Sequence, residues 1–283
     1  MYKCAVEHNS VYQDLTQNES EWQIVSITGL NPPPAQINIS PVVGLDGGKF
    51  NSSKLETRNI VITLKLNNDV ERNRLYLYSL FPTKEEVRFF YSNENRDVFI
   101  VARVETVECA YFEQMEIMQI SLICPQPYFR AIDETESDIS KVTDLFTFPF
   151  SIETPIPISS LDTEQVTDIV NEGESETGMV IDITFAAPVE TLRIQNTETG
   201  EFLELSYHFW ANDEVIVNTN KGEKSVRLIR EGMEFNLFSS VVRGSTFFSL
   251  SSGDNLFSYT ADDGETDDDV HIVFRHYSTY RGV

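Results

Sequence analysis

Apolar residues recur at every second position along several segments of the chain. In residues 55–66 four such positions follow one another: Ile60, Ile62, Leu64 and Leu66. Residues 97–107 and 115–124 show the same period of two. Because neighbouring side chains of a β-strand point to opposite faces, these segments are predicted to be strands with one buried face.

One helical pattern interrupts the strands. Asn68 offers a capping side chain, Glu71 follows three residues later, and apolar positions continue to Phe81 before Pro82. A capping residue followed by glutamate satisfies the unpaired N–H groups of a first helical turn, and proline cannot continue a helix. The pattern predicts one helix that covers a sheet face.

The second half of the chain contains eight short apolar runs and no comparable helical pattern. Glycine-rich and asparagine-rich turns separate many of the runs, as at residues 199–200 and 252–254. Regularly spaced short strands with turns between them are typical of a β-sandwich of the jelly-roll kind. The runs are residues 179–185, 192–195, 202–205, 215–217, 226–229, 246–250, 256–259 and 272–274.

A domain boundary is expected after Pro125 and Pro127, because two prolines so close together cannot both lie in a central strand. We predict an N-terminal β-sandwich-like domain with one helix in residues 1–130, a linker in 131–160 and a C-terminal β-sandwich in 161–283. The fold class is thus mainly β. The aromatic residues of the run 146–150 are interpreted as packing within the linker.

The net charge of −24 is unevenly distributed: residues 1–130 carry −4 and residues 131–283 carry −20. Binding of nucleic acid through phosphates requires clustered lysine and arginine, which the sequence lacks, so no such partner is predicted. The acidic second half indicates a solvated surface or a docking face for a basic partner.

The three cysteines, Cys4, Cys109 and Cys124, are too few for a disulfide framework and form no pair with the spacing of a zinc site. We expect them to be reduced, with Cys109 and Cys124 buried in strands. No apolar segment reaches the length of a membrane span, and the N-terminus lacks the pattern of a secretion signal. These features predict a protein made in a cytoplasm.

No common catalytic signature occurs, and the four histidines form no pair with metal-ligand spacing on a helix, so neither an enzyme nor a cofactor is predicted. Carboxylates in residues 262–269 could in principle hold calcium. Their spacing differs from the helix-flanked calcium loop, and we interpret the segment as a solvated hairpin tip without metal.

Two aromatic residues, Trp210 and Tyr207, are the residues to consider for sugar binding, since sandwich folds often stack sugars on exposed aromatic rings. The alternative is that Trp210 packs in the core. A glycoside hydrolase would need two convergent carboxylates, and the sequence singles out no pair among 45 acidic residues.

Several short motifs resemble the siphophage distal tail protein (Dit) family. In the first half they comprise Arg58-Asn59-Ile60-Val61-Ile62, Arg74-Leu75-Tyr76, the run from Gln119 to Phe129, and Leu45-Asp46-Gly47-Gly48-Lys49-Phe50. In the second half they comprise Thr199-Gly200-Glu201, Phe247-Phe248-Ser249-Leu250 with Gly253-Asp254-Asn255, and Tyr280-Arg281-Gly282-Val283.

The resemblance implies a structural protein of the virion tail tip. Members of the family form a hexameric ring, chiefly through the N-terminal domain, between the tail tube protein and the tail-tip hub. Their galectin-like C-terminal domain holds receptor-binding proteins in some members. From this resemblance we expect ring or interdomain contacts at Asp46, Gly47, Phe50, Tyr128 and Phe129, and the alternative for each is a role in a local turn or in core packing. The alternative function is a carbohydrate-binding module that contacts cell-wall glycan through Trp210 or Tyr207.

Overall fold

The computed structural model of the chain describes residues 2–16, 20–44, 46–111, 115–139, 166–262 and 270–283. These form two compact units: unit 1 is Met1–Ile132 with Thr279–Val283, and unit 2 is Asp133–Ser278. Most of the expected linker, including residues 146–150, lies outside the described residues. The predicted domain limits stay a prediction. Residues 279–283, which were predicted to belong to the C-terminal domain, lie in unit 1.

The described residues form strands that we number in chain order. Unit 1 contains β1 (Lys3–His8), β2 (Val11–Asp14), β3 (Trp22–Thr28), β4 (Ala35–Pro41), β5 (Gly48–Leu55), β6 (Arg58–Leu66), β7 (Glu86–Ser92), β8 (Asp97–Cys109), β9 (Ile117–Cys124) and β10 (Phe129–Ala131). Unit 2 contains β11 (Thr135–Ile139), β12 (Val166–Asp168), β13 (Met179–Phe185), β14 (Val189–Asn196), β15 (Phe202–Phe209), β16 (Glu214–Asn218), β17 (Ser225–Arg230), β18 (Met233–Asn236), β19 (Leu256–Ala261) and β20 (Val270–His276). The final strand, β21 (Thr279–Tyr280), returns to unit 1.

Unit 1 is built on one antiparallel sheet with the order β2-β1-β7-β8-β9-β6-β3, which β10 joins by pairing with β8. The alternation predicted for β6 is confirmed, since Ile60, Ile62, Leu64 and Leu66 are all buried. The sheet curves strongly. Trp22 at the start of β3 donates its indole N–H to the carbonyl of Leu15, just after β2, over 3.2 Å, although these strands end the sheet on opposite sides.

The predicted helix is present as α1 (Val70–Leu80), which packs against β1 and β6 and buries Leu77 in the core. The expected cap at Asn68 is wrong. Asp69 precedes the helix with a left-handed backbone (φ 48°) and no side chain caps the first turn. The Asn73 amide donates to the main-chain carbonyl of Asn68, so the polar contact runs in the opposite direction.

Unit 2 consists of two antiparallel sheets with the orders β11-β20-β13-β16-β17-β18 and β12-β19-β14-β15. Alternate side chains of β13 are buried, and buried side chains of both sheets belong to one hydrophobic core. Two sheets that share a core form a β-sandwich. The mainly β fold class is therefore confirmed, while the galectin-like detail remains an expectation.

The run at residues 246–250 was predicted to be a strand, and this prediction is wrong. Only Leu250 forms a bridge, with Thr177, and the N–H of Thr246 instead donates to the carbonyl of Phe202 over 2.7 Å. Phe248 and Leu250 are nevertheless buried in the core. The apolar run thus reflects burial of side chains rather than pairing of the backbone.

The three cysteine thiols are unbridged, with Cys4 and Cys124 buried and Cys109 only half-buried, which corrects the expectation that Cys109 is in the core. Within the described ranges, no helix combines the length and the apolar character that crossing a membrane requires.

Candidate functional site

An exposed β-hairpin extends from unit 1. We call it the arm and define it as residues 35–55, with β4 and β5 as its two strands. These strands pair only with each other, and nearly every described arm residue is exposed to solvent. A two-stranded hairpin with no other packing is marginally stable in water. The arm therefore has the exposure expected of a segment that packs against a partner.

One face of the arm is apolar. Ile37 and Ile39 lie two residues apart on β4, and Phe50 lies opposite Ile39 on β5. Phe50 is 59% exposed, and both isoleucines are similarly open. Lys49 and Lys54 neighbour this face but project from the other side, since Lys49 pairs with Ser40 and Lys54 with Gln36. We call Ile37, Ile39 and Phe50 the arm patch.

The tip of the arm contains two of the residues predicted to form ring contacts, Asp46 and Gly47. Both are exposed, and Gly47 has a positive φ of 88°, which favours glycine because it lacks a Cβ atom. At the base of the tip, a Cβ atom on Gly48 would lie 2.5 Å from Cγ2 of Ile39. The side chain of Ile39 therefore lies over Gly48, which shapes one end of the arm patch.

The other two residues predicted to form contacts, Tyr128 and Phe129, differ in their burial. Phe129 is fully buried in the core of unit 1, whereas Tyr128 is half-buried. The guanidinium of Arg58 covers the ring of Phe129, with 4.5 Å between the guanidinium carbon and the ring centre. For Phe129 the structure therefore favours the alternative of core packing, because its side chain packs within its own unit, and the contact expected at Tyr128 stays a prediction.

Arg58 joins three separate segments of unit 1. It donates to the carbonyl of Pro127 over 2.9 Å and to that of Asn31 over 2.7 Å, and it also bonds the carbonyls of Gly29 and Arg281. Burial lowers the pKa of this guanidinium, which stays charged and needs these acceptors. We call Arg58, Phe129 and the carbonyls that Arg58 bonds the clasp.

A second arginine fixes the same end of the chain. Arg96 lies over the ring of Tyr280, 4.5 Å from its centre, and donates to the carbonyl of Gly282. Tyr280 in turn pairs with Phe129 across β10 and β21. The motifs at Arg58, 119–129 and 280–283 are far apart in the sequence, and the structure brings them to one place.

An apolar recess opens in unit 1, with a volume of about 350 Å³. Its walls come from the start of β1, from β3 and its following loop, and from β7. The recess thus lies where the two ends of the curved sheet approach each other. Its lining residues are Tyr2, Cys4, Thr16, Ile24, Ile27, Leu30 and Tyr91.

Unit 2 contains a cleft of about 610 Å³ beside the turn between β15 and β16. Trp210 stands at this cleft and is 52% exposed, so the expectation that it packs in the core is wrong. His208 meets the indole ring edge to face, with 4.2 Å between ring centres. Polar side chains of Asn212, Glu214 and Glu231 line the same cleft.

A buried ion pair holds this turn. Asp213 is 2% exposed and accepts hydrogen bonds from Nε of Arg230, over 2.8 Å, and from a second guanidinium nitrogen. It also accepts from the main-chain N–H of Trp210 over 2.8 Å. Burial would raise the pKa of Asp213, but the bonds from Arg230 and Trp210 outweigh it and hold the pKa below its usual value.

Tyr207 does not line the cleft. Its ring centre lies 5.8 Å from the guanidinium carbon of Arg230, which does line the cleft. The structure therefore separates the two residues predicted for sugar contact. Sequence reasoning missed Asp213 and Arg230, and their separation of 17 residues gives no local signal.

No group of three histidine, cysteine, aspartate or glutamate side chains with metal-binding geometry occurs in the described part of the chain. Of the acidic segment 262–269, only Asp262 is described, and the rest lies outside the described residues. Its carboxylate accepts the N–H groups of Glu190 and Thr191 over 2.7 and 2.9 Å. Asp262 thus satisfies main-chain N–H groups at the start of β14.

Comparison with solved structures shows the fold of the whole chain. The structure of SPP1 Dit (gp 19.1), described as a paradigm of hub adsorption apparatus in phages that infect Gram-positive bacteria, superposes with a TM-score of 0.68 at 15% identity, covering 96% of this chain and 98% of that one. A chain of the phage P2 baseplate in its activated conformation with Ca matches with a TM-score of 0.54 at 12% identity, covering 97% and 98%. The phage p2 baseplate structure with Sr gives 0.52 at 12% identity and the same coverage.

Sequence comparison gives a narrower result. No curated protein matches the chain. Residues 172–276, which lie within unit 2, match the family described as the siphovirus-type tail component, C-terminal domain. Together with the fold of the whole chain, this confirms the resemblance drawn from the short motifs: the chain has a Dit fold, and its residues 172–276 match the C-terminal domain of the siphovirus-type tail component family.

Proposed function

We propose that the protein is a structural, non-catalytic component of a siphovirus-type tail that closes into a hexameric ring at the tail tip. In this position it would join the tail tube protein to the tail-tip hub and to receptor-binding proteins. The family assignment of unit 2 and the fold shared with SPP1 Dit support a tail-component role. The number of copies and the position at the tail tip follow from the resemblance to the Dit family, and the features of unit 1 support contact between copies.

The arm patch is the observation that carries the proposal. Ile37, Ile39 and Phe50 lie together on one exposed face of a hairpin whose strands pair with no other described strand. Burying one such side chain from water stabilises a contact by about 1.5–3 kcal/mol. Three adjacent apolar side chains on an extended strand pair suit a protein partner, and we take that partner to be a second copy.

The recess supplies an acceptor for the arm patch. It is lined mainly by apolar side chains, and its 350 Å³ can hold a phenylalanine or isoleucine side chain. The recess and the arm patch are different surfaces of the same unit, so a contact between them is heterologous. Heterologous contacts generate a closed ring when the rotation per copy closes. The arm strands of 7 and 8 residues can reach about 23 Å, which suffices to contact a neighbour.

The decisive experiment compares two arm variants of the full chain by light scattering coupled to size exclusion and by negative-stain imaging. Phe50→Asp places a charge in the arm patch, and Lys49→Asp places the same charge at the adjacent position on the opposite face. We expect toroids of six copies from the unmodified chain and from Lys49→Asp, and monomers from Phe50→Asp whose circular dichroism spectrum is that of the unmodified chain. Rings from Phe50→Asp, or an unmodified chain that stays monomeric at high concentration, would overturn the proposal.

A further inference from the structure

We propose that the cleft at Trp210 is a binding site for a neutral pyranose unit of a polysaccharide, with the indole as the stacking surface. This activity goes beyond the structural role of unit 1, because every residue involved lies in unit 2. It concerns a site in the β15–β16 turn, and it can be tested independently of ring formation.

The indole is presented as a rigid, accessible surface. About half of Trp210 is open to solvent, although an aromatic ring of this size would gain more from burial. Its position is nevertheless fixed from several directions. The main-chain N–H of Trp210 bonds the Asp213 carboxylate, its carbonyl accepts from the Asp213 N–H over 3.1 Å, and the N–H of Asn212 bonds the carbonyl of Phe185 over 2.7 Å.

Rigidity matters because a ligand that meets a preformed surface does not lose free energy to ordering it. Asp213 is buried and its carboxylate is engaged by Arg230 and by the main-chain N–H of Trp210, so we regard it as a positioning residue. Arg230 holds Asp213 through two bonds and also donates to the carbonyl of His208 over 3.2 Å. The strand end before Trp210 and the turn after it are therefore tied to one guanidinium.

The lining of the cleft selects the chemistry of the ligand. Glu214 and Glu231 provide carboxylate oxygens, which accept hydrogen bonds from sugar hydroxyls, and Asn212 can both donate and accept. The carboxylates outnumber the single guanidinium, which already pairs with Asp213. An anionic polymer would be repelled here, whereas the apolar face of a neutral pyranose can stack on the indole. The volume of 610 Å³ falls in the range of about 300–1,000 Å³ typical of small-ligand sites.

The two tryptophans of the chain make the binding directly observable. Trp22 is fully buried in unit 1, so a change in fluorescence on addition of ligand reports on Trp210. The probes are neutral hexose and N-acetylhexosamine oligosaccharides, and the control is an anionic oligosaccharide of equal length. We expect neutral oligosaccharides to shift the emission saturably and the anionic one to have no effect.

Variants then assign the site. Trp210→Ala keeps the main-chain N–H that bonds Asp213, so it should weaken binding at least about tenfold, measured by calorimetry, without lowering the melting temperature. Phe238→Ala is the matched control, because Phe238 is a similarly exposed aromatic residue of unit 2 that does not line the cleft, and this variant should bind as the unmodified chain does. Asp213→Asn should weaken binding several-fold. Because this variant loosens the turn, the indole N–H signal of Trp210 should also broaden in NMR spectra through conformational exchange.

Absence of any neutral-sugar binding at millimolar concentrations overturns the inference, as does equal binding by Trp210→Ala. A cleft that captures a tail protein through Trp210 but no sugar also overturns it, since that result makes Trp210 a protein-docking residue. Imaging of the same samples separates the two proposals, because Trp210→Ala should still form toroids and Phe50→Asp should still bind sugar.

Discussion

The guanidinium of Arg58 lies 4.5 Å above the ring centre of Phe129, and from this position it bonds carbonyls before β4, after β9 and at the end of β21. A buried guanidinium without its acceptors leaves an uncompensated charge, so this relationship stabilises unit 1 as a whole. The contacts of Arg58 also explain why motifs at Arg58, 125–129 and 280–283, which are far apart in the sequence, lie at one place in the structure.

The first prediction concerns the clasp. Lysine has a single charged nitrogen and cannot reproduce the planar fork that reaches several carbonyls at once, so Arg58→Lys should lower the free energy of unfolding of unit 1 by about 3 kcal/mol. Urea unfolding followed by Trp22 fluorescence in a Trp210→Phe background measures this. Arg72→Lys on the exposed face of α1 is the control, with an expected change below about 0.5 kcal/mol. An equal effect of both variants would contradict the assigned role of Arg58.

The second prediction tests whether the ring contact is heterologous. Phe50→Asp removes the arm patch and keeps the recess, whereas Ile27→Arg blocks the recess and keeps the arm patch. Each variant alone should be monomeric, but an equimolar mixture should form one-to-one dimers, because one intact patch and one intact recess remain between the two chains.

Mass photometry of the mixture measures this outcome. A mixture that remains monomeric would show that the arm patch does not dock in the recess. Full rings from the mixture would show that other contacts suffice for closure.

The third prediction concerns thiol reactivity. Burial, with a smaller contribution from Asp14, raises the pKa of Cys4 to about 12, and burial raises that of Cys124 to about 12. Since the thiolate is the reactive form, both should be inert near pH 8 in the folded protein. Cys109 is only half-buried, and burial raises its pKa less.

Titration with a chromogenic disulfide should therefore detect one thiol in the folded protein, lost in Cys109→Ser, and three after denaturation. Rapid reaction of a second thiol in the folded state would mean that Cys4 or Cys124 is more accessible than the structure shows.

The fourth prediction concerns His276, which is buried in β20 of unit 2. Burial lowers its pKa below the ordinary 6.5, against a smaller effect of the Val170 main chain. As the pH falls below about 6.5, the unfolded chain takes up a proton that the folded chain resists. Stability from this group is therefore complete above that pH and is lost on acidification.

Calorimetric unfolding between about pH 7 and pH 5 should show a larger loss for the unmodified chain than for His276→Gln, by at most about 1.4 kcal/mol per pH unit. The three other histidines are present in both proteins, so their contributions cancel in the comparison. Identical pH dependence in both proteins would mean that His276 is protonated as easily when folded as when unfolded.

The strands with one buried face could be predicted from the sequence, because their burial alternates with the same period as their side chains. β6 and β13 are examples. β11 could not, since Thr135–Ile139 is mostly polar and pairs at the border of a sheet, where only its last residue is buried. The Asn68 cap failed because Asp69 adopts a left-handed conformation that the sequence does not specify.

The candidate sites were predictable only in part. Phe50 was selected from its motif and Trp210 by residue type, and both are exposed. The residues that position these two side chains were not selected from the sequence. Arg230 contacts Asp213 only after two strands have paired, and Gly48 contacts Ile39 across a hairpin. Phe129 is the opposite case: it was selected from a motif as a contact residue, but its side chain is buried. A motif can mark a core residue as readily as a surface residue.

The pairing of β10 with β21 has a consequence for biosynthesis. Residues 129–130 must wait for residues 279–280, which are made at the end of translation. β20, which pairs with both β11 and β13 in unit 2, is made only shortly before them, so neither unit can complete its hydrogen bonds until the last part of the chain has left the ribosome. A nascent or prematurely terminated polypeptide would lack the Arg281 carbonyl that Arg58 requires, so truncated chains should leave unit 1 incompletely folded.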